Sequence, residues 1–188
     1  MTSKGVKVFL RINSIVPTGQ DYKVVSLFGY RTNGIPGIEM KGLPNNQNIV
    51  REKLVYLSKM FGIKVPIRRF HLCIDIPKEL LRMKKELIED RFLDLPLLLL
   101  YWSLAEVVKI QELEYVFSLG RIEPDGQIIV PKISETYLRH LDGVIREKTS
   151  RSITMITSKE VSYPDVRCIT ISSILNSMCD QDIRSIAP

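Results

Sequence analysis

Phe92-Leu-Asp-Leu-Pro-Leu-Leu-Leu-Leu-Tyr-Trp-Ser-Leu-Ala105 is the stretch on which the fold turns. Its apolar run, Leu95 to Ala105, lies between Asp94 and Glu106 and is 11 residues long. A helix needs about 20 residues to cross a bilayer core, so this run is too short to span one. A helix that is apolar on every side must instead be covered on every side, which predicts the buried centre of a soluble protein. The helix is expected over Leu95 to Lys109, with Asp94 as N-cap and Pro96 in the first turn, where a proline is tolerated.

The flanking sequence supplies the layers. Val6 to Ile15 and Lys23 to Tyr30 are rich in β-branched and aromatic residues and read as two strands joined through Pro17-Thr-Gly-Gln-Asp21. Ile38 to Lys41 is a short strand between the turns Gly34-Ile-Pro-Gly37 and Gly42-Leu-Pro-Asn-Asn46. Asn45 or Asn46 can cap a helix to about Phe61, with Val50, Leu54, Leu57 and Phe61 on one face and Gly62 as its stop. Arg69 to Ile76 reads as a buried strand, and Lys78 to Asp90 as an exposed loop or short helix. Tyr115 to Leu119 and Gln127 to Val130 are expected to pair as a hairpin through Pro124-Asp-Gly126. Ser134 to Lys148 is a helix with Tyr137, Leu138, Leu141 and Ile145 on one side. Strands at Ser152 to Ile156 and Cys168 to Ile171 and a short helix from Ser172 to Met178 close the chain. Without strict βαβ alternation or internal repeats, this is one α+β domain over residues 1–180 with a tail at 181–188.

Composition narrows the function classes. The chain has 188 residues, 45% apolar and 26% charged, which excludes collagen-like, disordered and disulfide-scaffold proteins. The cysteines Cys73, Cys168 and Cys179 are odd in number and read as reduced thiols of a cytoplasmic protein. Lys7 and Arg11 interrupt the N-terminal apolar run, so no targeting segment is visible. The 27 basic and 21 acidic side chains leave a net charge of +6. The excess sits in the first 90 residues, with 16 basic against 8 acidic groups, while residues 91–131 hold 3 against 6. A pI near 9.2 permits a nucleic-acid partner without requiring one, and a solvated basic face is the simpler account.

Motif tests remove most chemistry. Gly37-Ile-Glu-Met-Lys-Gly42 has phosphate-loop glycine spacing, but Leu43-Pro44 stand where Lys-Ser/Thr is required, so it is no Walker site. His71 and Cys73 point to one face of a strand and could share a metal. Four ligands are wanted, however, and only His140 remains among the histidines, so buried sheet residues are the better reading and no metal is expected. No nucleophile elbow or Cys-His pairing is present, and Glu86, Glu89 and Asp90 read as a solvated acidic face. Arg51, Lys53, Lys64, Arg68 and Arg69 (with Lys59 on the same helix) could form a basic patch. Base-stacking aromatics are not interleaved with it, so the patch would contact nucleic-acid backbone.

Asn33-Gly-Ile-Pro-Gly37 followed by Gly42-Leu-Pro44 and a helix resembles the start of the ComM/YifB family of magnesium-chelatase-like AAA+ proteins, with its "NGLPGF…VGLP" stretch. The likeness continues in order through Phe61-Gly-Ile-Lys-Val-Pro66 with Arg69, Pro77-Lys-Glu79, and Phe92-Leu-Asp-Leu-Pro96. It extends to Glu114-Tyr-Val-Phe-Ser-Leu-Gly-Arg-Ile-Glu-Pro-Asp-Gly-Gln127. Residues Gly34, Pro36, Gly37, Gly42, Leu43, Pro44, Asp94, Leu95, Pro96, Gly120 and Gly126 carry the shared pattern. The resemblance implies a Lon-protease-like domain of the ribosomal-S5-domain-2 type, placed ahead of an ATPase core. It further implies DNA processing in natural transformation, with ATP and Mg bound only by that core and oligomers formed through it. The core needs far more chain than is present, so the sequence is expected to be an N-terminal fragment or a truncated free-standing relative.

True Lon proteases carry a Ser-Lys dyad on this fold. By the same register the serine position falls on Asp94 and the lysine position near Glu135, and neither side chain can do the work. Lys132 is close in sequence but rotated away. Ser118-Leu-Gly-Arg121 and the longer Lys78 to Asp90 segment also depart from the family pattern. The expectation is a non-catalytic module acting in assembly or DNA-backbone contact. A rewired Lon-type peptidase and a purely structural oligomerisation domain are the alternatives.

Overall fold

The computed structural model describes residues 8–18, 21–42, 47–81, 90–110, 112–149, 153–157 and 166–176. The chain opens with strands β1 (Phe9–Thr18), β2 (Asp21–Thr32) and β3 (Gly37–Lys41). Helix α1 (Gln47–Met60) leads into β4 (Arg69–Asp75) and the one-turn α2 (Lys78–Leu81). The central helix α3 (Asp94–Leu104) precedes β5 (Val116–Ser118), β6 (Arg121–Ile122) and β7 (Ile128–Ile129). Helix α4 (Glu135–Thr149), β8 (Thr154–Thr157), β9 (Arg167–Thr170) and α5 (residues 171–176) complete the order.

Among the described residues, seven strands form one mixed sheet in the order β3-β4-β2-β1-β5-β8-β9. β2 runs antiparallel to both of its neighbours, β1 and β4, whereas β3 lies parallel to β4, β5 parallel to both β1 and β8, and β9 parallel to β8. A parallel neighbour cannot be reached by a tight turn, and α1 supplies the crossover from β3 to β4. The architecture is therefore α and β mixed, as expected.

Alternation along the strands divides the apolar side chains between two faces. Ile12 and Val16 join the layer under α1 and α3, while Ile15 between them joins the layer under α4. Val116 and Ile156 split from Phe117 and Met155 in the same way. Every residue of α3 is buried. Each buried leucine contributes on the order of 1.5–3 kcal/mol relative to exposure, so this helix anchors the first layer. Trp102 Nε1 donates to Ser58 Oγ at 2.9 Å, and Tyr101 packs edge-on to Phe70 at 5.1 Å, tying α3 to α1 and β4.

Several expectations are corrected. The central helix stops at Leu104 rather than Lys109, because Glu106 takes a left-handed backbone (φ 60°) and the Val107 amide turns back to Trp102 O. Asp94 is the first residue of α3 and not its cap. Leu93 holds the cap position without a side-chain hydrogen bond. The expected hairpin between residues 115–119 and 127–130 does not form, since β5 is claimed by β1 and β8. Only β6 and β7, closer to the Pro124-Asp-Gly126 turn, pair with each other. Gly120 between β5 and β6 sits so near α3 that a Cβ would lie 3.2 Å from Leu95 Cβ, and its carbonyl accepts from the Leu95 amide. Pro17 lies inside β1, paired with Tyr22, rather than in the first turn. The α1 face of Val50, Leu54 and Leu57 is buried, but Phe61 falls beyond the helix at 36% exposure. Leu43, Pro44, Asn45, Asn46, Glu86, Glu89 and Cys179 lie outside the described residues.

Candidate functional site

An open groove of about 1110 Å³ lies between α1, the Gly34–Gly37 turn with the start of β3, and the segment that leads into β4. Its position follows from the β3-α1-β4 crossover. The two parallel strands begin at the same end of the sheet, and their entry loops stand side by side with Gly37 N donating to Arg68 O at 3.1 Å. Ile38, Phe70 and Tyr101 line it from the buried layer. Arg51, Glu52, Val55, Tyr56 and Lys59 line it from α1, and Val65 to Arg69 from the β4 approach.

Three of the five cations expected in the basic patch meet here: Arg51, Arg68 and Arg69, joined by Lys59. Lys64 is exposed but does not line the groove. Arg69 is engaged, donating to Glu39 across the β3–β4 pair, and this bond holds the Glu39 carboxyl below the usual carboxylate range. Arg51, Lys59 and Arg68 make no ion pair among the described residues.

Lys53 does not belong to the patch. Its Nζ donates to Asp94 Oδ2 at 2.8 Å and to Ile122 O at 2.7 Å, turned inward from α1 to the start of α3. Asp94 Oδ2 also accepts from the Ile122 amide at 3.1 Å. Burial pushes the Asp94 carboxyl above the usual range, opposed by the ammonium and the amide. The pair therefore fastens α1, α3 and β6 together. A charge-bearing residue at the head of an apolar helix needs a buried partner, which is the signal that could have led to this contact.

The sequence reading also missed the groove's apolar rim. Ile35 is 84% exposed and Ile67 83%, and each sits beside a proline in a turn segment outside any periodic face. That placement was the available clue. Val55 and Tyr56 add further exposed apolar surface on α1.

Along β4, His71 and Cys73 share one side, as predicted, and Arg69 lies on that side with them. His71 Nε2 lies 3.1 Å from Thr32 Oγ1, and its ring stacks on Tyr30 at 4.5 Å. His71 Nδ1 is 2.9 Å from Glu39 Oε2 but at an angle outside hydrogen-bond geometry. Among the described residues, no group of three or more His, Cys, Asp or Glu side chains is placed to hold a metal ion. No described helix is long and apolar enough to cross a membrane. Cys73 and Cys168 are free thiols, half-buried, and burial raises the Cys73 thiol.

No model of a known protein family matches this chain, and no curated protein sequence does either.

Proposed function

We propose that this chain is a non-catalytic binding module, the N-terminal Lon-like domain of a ComM-type AAA+ protein with the ribosomal-S5-domain-2 architecture. It works in assembly by holding a polypeptide in the groove between α1 and β3. The observation that carries this reading is the pair of exposed isoleucines, Ile35 and Ile67, on the walls of one groove. Large apolar side chains held in water by turns are a cost to a lone domain and an asset to one with a protein partner. Absence of peptidase chemistry is supported by Asp94, whose carboxylate is spent on Lys53 and the Ile122 amide. ATP and Mg belong in this reading to a separate ATPase core.

A second reading, contact with DNA backbone, is favoured by Arg51, Lys59 and Arg68, which line the groove and make no ion pair among the described residues. Phosphates can use those cations but gain little from Ile35 and Ile67. One experiment separates the two. A photo-reactive p-benzoylphenylalanine replaces Ile67, and the protein is irradiated in its native cytosol. Adducts that resist nuclease, yield to protease and disappear in R51E/R68E are expected. Nuclease-sensitive adducts, together with duplex binding that falls steeply between 50 and 200 mM salt, would transfer the function to DNA. Absence of any adduct would remove both.

A further inference from the structure

Strand β3 is the terminal strand of the sheet, and no described strand pairs with its outer edge. Because Gly37 N donates to Arg68 O, the backbone groups of Gly37, Glu39 and Lys41 are turned toward β4. N–H and C=O of one residue point the same way in a strand. Ile38 and Met40 therefore direct theirs to the open edge. Ile38 also lines the groove, together with the apolar Ile35, Val55 and Ile67 and the cations Arg51, Lys59 and Arg68.

We propose that the groove takes an extended acidic–aliphatic peptide segment, which adds to the sheet as an eighth strand beside β3. This rests on the polypeptide reading above and specifies the partner's chemistry. The main chain of the segment bonds to Ile38 and Met40, and alternate side chains turn toward the groove. Those side chains are aliphatic, to cover Ile35, Val55 and Ile67. Carboxylates flanking them meet Arg51, Lys59 and Arg68. The charge balance selects the acid. The groove lining holds four cations and two carboxylates, and one carboxylate, Glu39, is already taken by Arg69. A basic segment meets repulsion here, and a nucleic acid has no strand edge with which to pair β3.

The probe is a fluorescent nonapeptide, Asp-Asp-Val-Ser-Ile-Ser-Val-Asp-Asp, titrated with the whole chain and read by anisotropy. Binding is expected, with at least about a 10-fold loss for the same peptide carrying Lys for Asp, and a similar loss for R51E/R68E. The double serine variant I35S/I67S, exposed in both positions, is expected to bind less well while melting like the parent. Backbone N-methylation of alternate peptide residues tests the strand geometry. Only one of the two phases faces β3, so one phase abolishes binding and the other retains it. Equal effects of both phases, or none from either, overturn the added strand. Indifference to charge reversal overturns the acidic partner. If no peptide binds while nuclease-resistant adducts at position 67 persist, the partner chemistry is wrong and the polypeptide reading stands. If adducts are absent as well, both fall.

Discussion

Replacing Lys53 by methionine keeps the length of the side chain and strands the Asp94 carboxylate. In the parent protein Lys53 Nζ serves two buried acceptors, Asp94 Oδ2 at 2.8 Å and Ile122 O at 2.7 Å. The variant leaves Asp94 with the Ile122 amide alone and Ile122 O with no donor. Breaking a buried pair from one side costs about 3–5 kcal/mol. The Lys53 side chain is 18% exposed, so water can reach the vacated position and the lower end, about 3 kcal/mol, is expected. For a chain of this size that lowers the melting temperature by roughly 6–12 °C. Urea unfolding followed by circular dichroism gives the free energy directly. Arg51→Met, two residues away on the exposed flank of α1, is the control and is expected within about 0.5 kcal/mol of the parent. Adding Asp94→Asn to Lys53→Met removes the stranded charge, retains an acceptor for the Ile122 amide, and is expected to recover about 2 kcal/mol. The penalty of Lys53→Met also shrinks as pH falls, because a protonated Asp94 carries no charge to strand. A Lys53→Met protein within about 1 kcal/mol of the parent, or no recovery in the double variant, would refute the assignment of this pair as a buried fastening.

Three further perturbations test separate parts of the fold. Gly42→Ala forces a Cβ to within 2.6 Å of Ile74 O at a φ of +91°, and thermal unfolding is expected to show a loss of about 1–3 kcal/mol. Parent-like melting would mean that the turn after β3 relaxes freely. Ser58→Ala removes the acceptor of the Trp102 indole and is expected to cost about 1–3 kcal/mol. Emission from Trp102, the single tryptophan, follows the transition. Glu39→Gln reports on the Arg69 pair through pH. The Glu39 carboxyl is held below its ordinary value, so the unfolded chain binds more protons in acid. The stability it supplies is present above the ordinary glutamate value and is lost as pH falls through the lowered one. The variant is expected to show a shallower acid limb, with Glu106 beside Arg31 contributing to the slope that remains, and an unchanged limb would contradict the pairing.

What could be read in advance was whatever depends on near neighbours in sequence. The periodicity of Val50, Leu54 and Leu57 placed α1, the leucine run placed α3, and β-branched alternation placed β1, β2 and β4. Pairing partners were a different matter. A three-residue strand such as β5 has no local feature that prefers β1 and β8 over the nearer β7, and only the completed sheet decides. The basic patch was legible as composition but not as geometry. Arg51 and Lys53 are two positions apart, which a helix turns by roughly 200°, so one reaches the groove and the other the core. The groove rim escaped because it is built from turns, where exposure is set by backbone path and not by any repeating pattern. The Asp94 contact escaped because its partner lies 41 residues away on another helix.

The parallel seam between β1 and β5 has a consequence for synthesis. Asn13 Nδ2 donates to Glu114 O across 101 residues of chain. At ribosomal rates of about 5–20 residues per second, the nascent β1–β2 ribbon waits roughly 5–20 s before its partner strand emerges. Throughout that interval the inner edge of β1 is unpaired and the apolar undersides of both strands lack α3. The seam that joins the halves of the finished sheet is thus the surface most in need of shielding while the protein is being made, and a chaperone acting on this chain has its substrate there.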